Sequence, residues 1–156
     1  EIMLAKVWSM GLVVLLAALV ALVFVVQGAL HVPVQGSVLL FMGLAALHLF
    51  ATTSMGIFLA TVARSMPQFG MLLVLTLLPL QMLSGGVTPR ESMPEFVQQV
   101  MLAAPTTHFV TAAQAVLYRG AGLDMVWPQL LAILVIGGVL FTAALARFRK
   151  TISQMA

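Results

Sequence analysis

Four long apolar stretches constrain the fold of this chain more strongly than any other feature of its sequence. They cover residues 7–26, 38–62, 69–83 and 129–146. The third can be extended back to Pro67, which is suited to the first turn of a helix because its missing N–H would be unpaired there anyway. A helix needs about 20 apolar residues to cross roughly 30 Å of hydrocarbon. Helices are favoured because unpaired backbone groups are costly in lipid. The sequence therefore predicts an all-α membrane protein with about four transmembrane helices, the first to fourth spans.

The composition agrees with this prediction and excludes several classes of function. Hydrophobic residues make up 62% of the chain and charged residues 7%, with a mean hydropathy of +1.15, whereas soluble domains are typically about a quarter charged. The chain contains no cysteine, which excludes disulfides, thiolate metal sites and cysteine nucleophiles in it. Its basic residues form no stripe interleaved with aromatic residues, so we expect no nucleic-acid partner.

The distribution of Lys and Arg predicts an orientation in the membrane. Cytoplasmic loops carry an excess of these residues, and alternating spans divide them unequally between the two sides. Arg90 and Arg119 fall on one side, together with three of the four acidic residues. The other side, which we expect to be the cytoplasm, receives Lys6, Arg64, Arg147, Arg149 and Lys150. Both chain ends are then cytoplasmic, and residues 84–127 form an external segment.

The external segment contains no run that could cross the membrane, but it predicts two short amphipathic helices. Ser92 and Glu95 fit a capping box for the first helix, Pro105 is expected to end it, and Gly120 is expected to stop the second helix. Such helices are expected to lie in the interface or dip into it. The apolar faces consist of Met93, Phe96, Val97, Val100, Met101 and Ala104, and then of Phe109, Ala112, Ala113, Val116 and Leu117.

Polar and small residues recur every four positions in two of the spans. Such a stripe packs against another helix or lines a transport path, and both interpretations remain open for the second span. We take His48, Thr52, Thr53 and Gly56 as candidate path residues there, with Ala60 continuing the stripe as a packing residue. In the fourth span, Gly138, Thr142 and Ala146 predict close contact between helices, for example across a dimer.

Residues that could carry catalysis or bind a nucleotide are not evident. No G-x-x-x-x-G-K-[ST] phosphate loop occurs in the chain, and Gly85–Gly86 reads as a turn. His31, His48 and His108 form no ligand pair for a metal, and no acidic residue lies within a span. We therefore expect no metal site, no catalytic residue and no cofactor in this chain, which is predicted not to be an enzyme.

Three short motifs together resemble a known family. Residues 1–6 (Glu-Ile-Met-Leu-Ala-Lys) lead into the first span, and residues 59–65 (Leu-Ala-Thr-Val-Ala-Arg-Ser) form a short turn after the second span. Residues 83–89 (Leu-Ser-Gly-Gly-Val-Thr-Pro) precede Ser-Met-Pro at 92–94 and Ala-Pro at 104–105. This order is similar to the C-terminal half of type-2 ABC (ATP-binding-cassette) exporter permeases, and the resemblance covers nearly the whole chain.

The resemblance implies a dimeric transporter of the bacterial inner membrane. Each permease unit would have six spans and pair with a second copy or half, and two ATPase subunits would bind ATP and Mg²⁺. Residues 1–156 would form one transmembrane permease domain that lacks the first two spans and the coupling helix, and residues 84–127 would re-enter the outer leaflet. The external gate would comprise Ser84, Gly85, Gly86, Pro89, Ser92, Pro94, Glu95 and Pro105.

The predicted function is export of a substrate from the cytoplasm, powered by a separate ATPase subunit. The sequence does not name the substrate; apolar walls suit a drug, a lipid or another amphiphile. Two alternatives remain at this point. A non-transporting membrane scaffold subunit needs only helix faces rich in small residues. A secondary transporter needs an ionisable residue at membrane depth, for which His48 is the candidate in this chain.

Overall fold

The computed structural model describes residues 2–155, and it describes side chains from residue 5 to residue 154. These residues form helices joined by short loops, with no strand in the described part of the chain. A π-helix, Ala21–Ala29, continues the first helix, and a 3-10 turn, Arg90–Ser92, precedes the fourth. The α-helices are α1 (Ile2–Val20), α2 (Val38–Val62), α3 (Met66–Leu83), α4 (Glu95–Met101), α5 (Pro105–Arg119) and α6 (Leu123–Met155).

The four predicted spans are confirmed as helices that are long and apolar enough to cross a membrane. The first runs through α1 and the π-helix as Ala5–Ala29, and the second has the bounds of α2. The fourth was predicted too short, because α6 has 33 residues and extends beyond residues 129–146 at both ends. Such a helix is about 50 Å long, which exceeds the roughly 30 Å of hydrocarbon. Its polar ends remain helical outside the apolar layer.

The hairpin of α2 and α3 is fixed by hydrogen bonds at its tight turn. The Ser65 hydroxyl accepts a hydrogen bond from the Gln68 backbone N–H at 3.3 Å. The Gln68 side-chain oxygen accepts one from the Arg64 N–H at 2.8 Å. Pro67 lies in the first turn of α3, as predicted, where its missing N–H leaves no bond unmade. The turn therefore satisfies N–H groups that a helix start otherwise leaves unpaired.

The two short helices of the external segment are confirmed, but their predicted boundaries are wrong in two respects. Pro94 occupies the N-cap of α4, and the Ser92 hydroxyl instead donates to the Pro89 carbonyl at 2.7 Å. The predicted capping box fails because Met93 precedes a proline, which disfavours helical backbone at that residue; Met93 is extended, with φ −90° and ψ 147°.

Pro105 begins α5 and does not end α4, which already stops at Met101. Its ring fixes φ near the helical value, so it is well suited to a first helical position. The stop at Gly120 is confirmed, because this glycine has left-handed backbone angles of φ 64° and ψ 27° immediately after α5. Glycine adopts this conformation without the strain that a side chain would introduce.

The core of the chain lies where α2, α5 and α6 meet. Gly137 of α6 is so close to α2 that an added Cβ would lie 3.1 Å from the Cα of Ala51. By contrast, the most apolar windows of the first span and of α3 are 6% and 0% buried. The buried cluster consists of Leu44, Ala51, Ala112, Ala113, Val116, Ala121, Val126 and Ile133.

Candidate functional site

The helices α4 and α5 form a bent pair that descends beside α2. Their axes differ by 94° across the short break between Met101 and Pro105. The start of α5 lies near His48, because Phe109 in its second turn contacts the His48 ring. His48 is 11 residues beyond the N-cap Ser37, which places it about 16 Å along α2. The pair therefore reaches about half-way along α2, and we call it the re-entrant pair after the predicted re-entry of residues 84–127 into the outer leaflet.

The outer end of α5 is held by the loop between the first two spans. The Gln35 N–H donates to the Leu117 carbonyl at 3.0 Å, which satisfies one of the carbonyls that a helix end leaves unpaired. Gly36 packs so closely that an added Cβ would overlap the Val116 carbonyl oxygen. Gly120 approaches the same loop, with an added Cβ 3.1 Å from the Gln35 oxygen. Only glycine fits at residue 36 without displacing backbone.

The inner end of α5 is held by aromatic contacts with α2. The rings of His48 and Phe109 stack with centroids 4.3 Å apart and planes 14° apart. Phe41 contacts the same Phe109 ring in a tilted arrangement, with centroids 6.3 Å apart. Phe41 and His48 are two helical turns apart and share one face of α2. Each such pair contributes about 0.5–1.5 kcal/mol beyond the burial of its area.

Two buried polar atoms in this region have no hydrogen-bond partner among the described residues. They are Nδ1 of His48 and Oγ1 of Thr107, and Thr107 is 0% exposed. An unpaired buried polar atom typically costs about 1–3 kcal/mol. Nearby polar groups are satisfied: the Thr111 hydroxyl donates to the Thr107 carbonyl at 2.8 Å, and Nε2 of His108 lies 2.7 Å from the Leu102 carbonyl oxygen. His108 thus holds the turn between α4 and α5.

The four candidate path residues extend along α2 without forming a single cluster. Thr52 is half-buried, and its hydroxyl donates to the His48 carbonyl at 2.9 Å and to the Leu49 carbonyl at 3.2 Å. Thr53 and Gly56 are also half-buried, and an added Cβ at Gly56 would meet no atom within 4 Å. His48 contacts the re-entrant pair through Phe109. Their assignment to a substrate path stays a prediction.

The eight predicted gate residues divide into an inner and an outer group. Buried Ser84 donates its hydroxyl to the Gln81 carbonyl at 3.1 Å, and Pro105 is fully buried. Gly85 has a φ of +96°, a conformation that favours glycine, and Gly86 lies close to the Val110 side chain. These four residues join α3 to the base of the re-entrant pair. The outer group is exposed and consists of Pro89, Ser92, Pro94 and Glu95.

The outer group sits on a short loop that is fixed by its own hydrogen bonds. The Arg90 guanidinium donates to the Gln98 carbonyl at 3.4 Å, and the Gln98 amide donates to the Met93 carbonyl at 2.9 Å. The loop is thereby tied to α4. The role of all eight residues in a gate stays a prediction.

The predicted packing residues lie on faces that the other helices of this chain leave open. An added Cβ at Gly138 would meet no atom within 4 Å, and Thr142 and Ala146 are exposed, as is Ala60. The close contact within the chain uses the neighbouring Gly137, which sequence reasoning missed. The signal for it was present, because Ile133, Gly137 and Ala144 follow helical spacing on one face of α6. Contact of the Gly138 face with a second copy stays a prediction.

Within the described residues, no group of three or more His, Asp or Glu side chains could hold a metal ion. The site is a helix pair that is held at one end by the loop before α2 and at the other end by α2 itself, and it lies close to the end of α3.

Comparison with known proteins places this arrangement in a family context. The family described as ABC-2 type transporter matches residues 1–118. Inner membrane transport permease YhhJ of Escherichia coli K12 is 65% identical over 156 residues, which is 100% of this chain and 42% of the relative. A second E. coli K12 protein, named "Probable multidrug ABC transporter permease YbhR", is 28% identical over 124 residues, which is 80% of this chain and 34% of the relative.

The chain spans less than half the length of these relatives. No solved structure matches it at a significant level.

Proposed function

This chain belongs to the ABC-2 type transporter family, and we propose that it forms the C-terminal part of a permease in an ATP-driven exporter. The family match over residues 1–118 carries this proposal. The four apolar helices support it, because they provide a membrane-embedded body for a transport path. The bacterial inner membrane is the proposed location, since the relative with 65% identity is named an inner membrane transport permease.

The energy for export comes from a partner in this proposal. The sequence of the chain carries no phosphate loop, so ATP and Mg²⁺ bind to a separate ATPase subunit. A second permease copy or half completes the transporter, and the open face at Gly138, Thr142 and Ala146 is a candidate for that contact. Both chain ends lie in the cytoplasm, in accord with the excess of Lys and Arg on that side.

The proposed substrate is an amphiphile such as a drug or a lipid. Two of the relatives carry "multidrug" in their names, and helices that are almost wholly apolar favour a path for molecules with large apolar parts. In the proposed cycle, ATP hydrolysis rocks the paired membrane halves. The face of α2 with Thr52, Thr53 and Gly56 lines the path, and the segment from Ser84 to Pro105 acts as the external gate.

A vesicle assay tests whether transport depends on ATP hydrolysis. Inside-out membrane vesicles that contain the full-length protein and its ATPase are given ethidium as a cationic amphiphilic probe. We expect ATP-dependent accumulation that is lost when the phosphate-loop lysine of the ATPase is replaced by alanine. Accumulation that persists in that variant and follows a proton or sodium gradient would contradict ATP-driven export and favour a secondary transporter.

A charged residue in the path sharpens the same test. Gly56→Asp places a carboxylate at membrane depth, where a charge is costly and disfavours the passage of a molecule with large apolar parts. We expect export to be abolished while the ATPase still copurifies with the permease. Unchanged export would remove this face of α2 from the path. Gly70→Asp is the matched control for insertion of the protein, because Gly70 is an exposed glycine of α3.

A further inference from the structure

We propose that His48 is a positioning residue that holds the base of the re-entrant pair in a releasable position. The contact between the rings of His48 and Phe109 joins α2 to the second turn of α5, with centroids 4.3 Å apart. The outer end of α5 is fixed by backbone contacts of Gln35 and Gly36 with Leu117 and Val116. The ring contact is therefore an attachment of the second turn of α5 that can open without breaking backbone hydrogen bonds. The buried residues Ala112, Ala113 and Val116 hold the rest of α5 in the core.

The chemistry of the two rings explains why the contact is weaker than it could be. Phe109 is already in contact with Phe41, and a second phenylalanine at residue 48 would give a wholly hydrocarbon cluster. Histidine instead buries Nδ1 without a partner, which costs free energy that a hydrocarbon ring does not. The stack thus keeps the orientation of an aromatic pair while it lowers the stability of the closed position.

The contact between His48 and Phe109 lies next to the proposed gate, so its release would affect transport. The base of the re-entrant pair lies close to the loop after α3, because a Cβ added at Gly86 would lie 3.8 Å from the Val110 side chain. Loss of the Phe109 contact would therefore loosen the start of α5 next to the proposed gate. This consequence depends on the proposed function. The contact itself is tested without ATP, partner or substrate, so the two can fail separately.

Cysteine labelling measures the release directly, because the chain has no cysteine of its own. Thr107 is a suitable probe site: it is 0% exposed, and its hydroxyl makes no hydrogen bond that Thr107→Cys would remove. The labelling rate by a small water-soluble maleimide then follows the fraction of molecules in which α5 has separated, when opening and closing are fast. The assay uses the full-length protein in native membranes, with any other cysteines replaced.

Two substitutions at residue 48 are expected to change this rate in opposite directions. His48→Ala removes the stack and should raise the rate by roughly 2- to 12-fold, the range that corresponds to the free energy of an aromatic pair. His48→Phe keeps a ring and removes the unpaired nitrogen, so it should lower the rate. The rates should therefore fall in the order alanine, wild type, phenylalanine.

Controls separate this role from a general effect on folding. Leu39→Ala truncates an apolar side chain that is 84% exposed on the same helix, and it should leave the labelling rate of Thr107→Cys unchanged. Labelling at exposed Ser92→Cys should not respond to any substitution at residue 48. Phe109→Leu removes the stack with His48 and also the contact with Phe41, so it should raise the rate at least as much as His48→Ala. The double variant should be no faster than Phe109→Leu, because the stack is already lost in that variant.

The order of the rates decides the proposal. Equal rates in the alanine, wild-type and phenylalanine variants would overturn it, as would additive effects of His48→Ala and Phe109→Leu. If His48→Ala is not recovered in folded form, wild type, His48→Phe and Phe109→Leu still give the order. With the labelling order observed, slower ethidium export by His48→Phe connects the contact to transport, whereas unchanged export would separate the contact from the transport cycle.

Discussion

The core spans α2 and α6 and the peripheral spans α1 and α3 pack differently within the chain, although all four are apolar enough to cross a membrane. The most apolar windows of the first span and of α3 have 6% and 0% of their residues buried within the chain, whereas that of α2 has 22%. In water such exposure would be prohibitive, but in lipid an apolar side chain gains little from contact with another helix. Hydropathy therefore locates the spans without indicating which of them pack together.

Close approach of backbones is what distinguishes the core. Gly137 lets α6 approach Ala51, and Gly36 lets the first loop reach Val116. At Gly11, Gly43 and Gly70 an added Cβ would meet nothing within 4 Å. Small residues matter where they remove a steric obstacle, since association in lipid depends on van der Waals packing. The same residue type is thus essential in one region and replaceable in another.

The largest expected effect comes from Gly36→Val, in which the side chain would occupy the position of the Val116 carbonyl oxygen. Neither backbone segment can move away without loss of the Gln35–Leu117 hydrogen bond. We therefore expect that the protein is not recovered in folded form. Gel filtration in detergent measures the folded yield. Gly70→Val in α3 is the control, and a normal yield of Gly36→Val would contradict the close approach.

A smaller effect is expected when a buried side chain of the core is truncated. Ile133 is 0% exposed, and Ile133→Ala should lower stability by about 2–5 kcal/mol because a cavity remains. Leu75→Ala in α3 removes similar atoms from a side chain that is 63% exposed, and it should change stability by about 0.5 kcal/mol or less. Unfolding in detergent measures both. Equal losses would show that α3 is packed as tightly as α6.

Substitutions at two adjacent glycines of α6 form a matched pair, and their expected effects on stability are of intermediate size. Gly137→Ala places a methyl group 3.1 Å from Ala51, and overpacking of this kind typically costs about 1–3 kcal/mol. Gly138→Ala meets no atom within 4 Å, so it should be neutral or stabilise the helix by up to about 1 kcal/mol. Thermal unfolding distinguishes them. Cross-linking of two copies then shows whether Gly138 serves an interface, as the sequence predicted.

The smallest expected effect is the difference in stability loss between two serine substitutions. One serine caps a helix, and the other was only predicted to do so. Ser65 accepts a hydrogen bond from the Gln68 N–H, and Ser65→Ala should cost about 1 kcal/mol. The Ser92 hydroxyl donates to a turn carbonyl, so Ser92→Ala should cost less. Thermal unfolding in detergent measures both. The reverse order would restore the capping box at Ser92 and contradict the start of α4 at Glu95.

The spans could be predicted from the sequence, because hydropathy is averaged over many residues and a few local errors do not change the average. The sequence also sufficed for Pro67 and Gly120, whose roles follow from local backbone geometry. It failed at Ser92 because the capping-box pattern does not register that Pro94 forces Met93 into an extended conformation. The ends of α6 were missed because polar residues beyond the hydrocarbon layer remain helical.

The contacts that define the candidate site could not be predicted from the sequence, and the reason is different. His48 was singled out as a polar residue within a span, but its partner Phe109 lies far along the chain. Nothing in either local pattern selects that pair over another aromatic residue. Gly137 shares a helical face with Ile133 and Ala144, but Gly138 lies on an equally regular face with Thr142 and Ala146. Only the position of Ala51 decides which glycine is at the contact.

The most direct test of the account is purification of the tagged, full-length protein from its native host in mild detergent, followed by mass spectrometry of what copurifies. The account predicts a stoichiometric ATPase with a phosphate loop, retained in Gly56→Asp and Gly138→Ala as well as in wild type. Recovery of the folded permease without any ATPase, at matched expression and in several detergents, would contradict an ATP-driven exporter and favour a scaffold subunit or a secondary transporter.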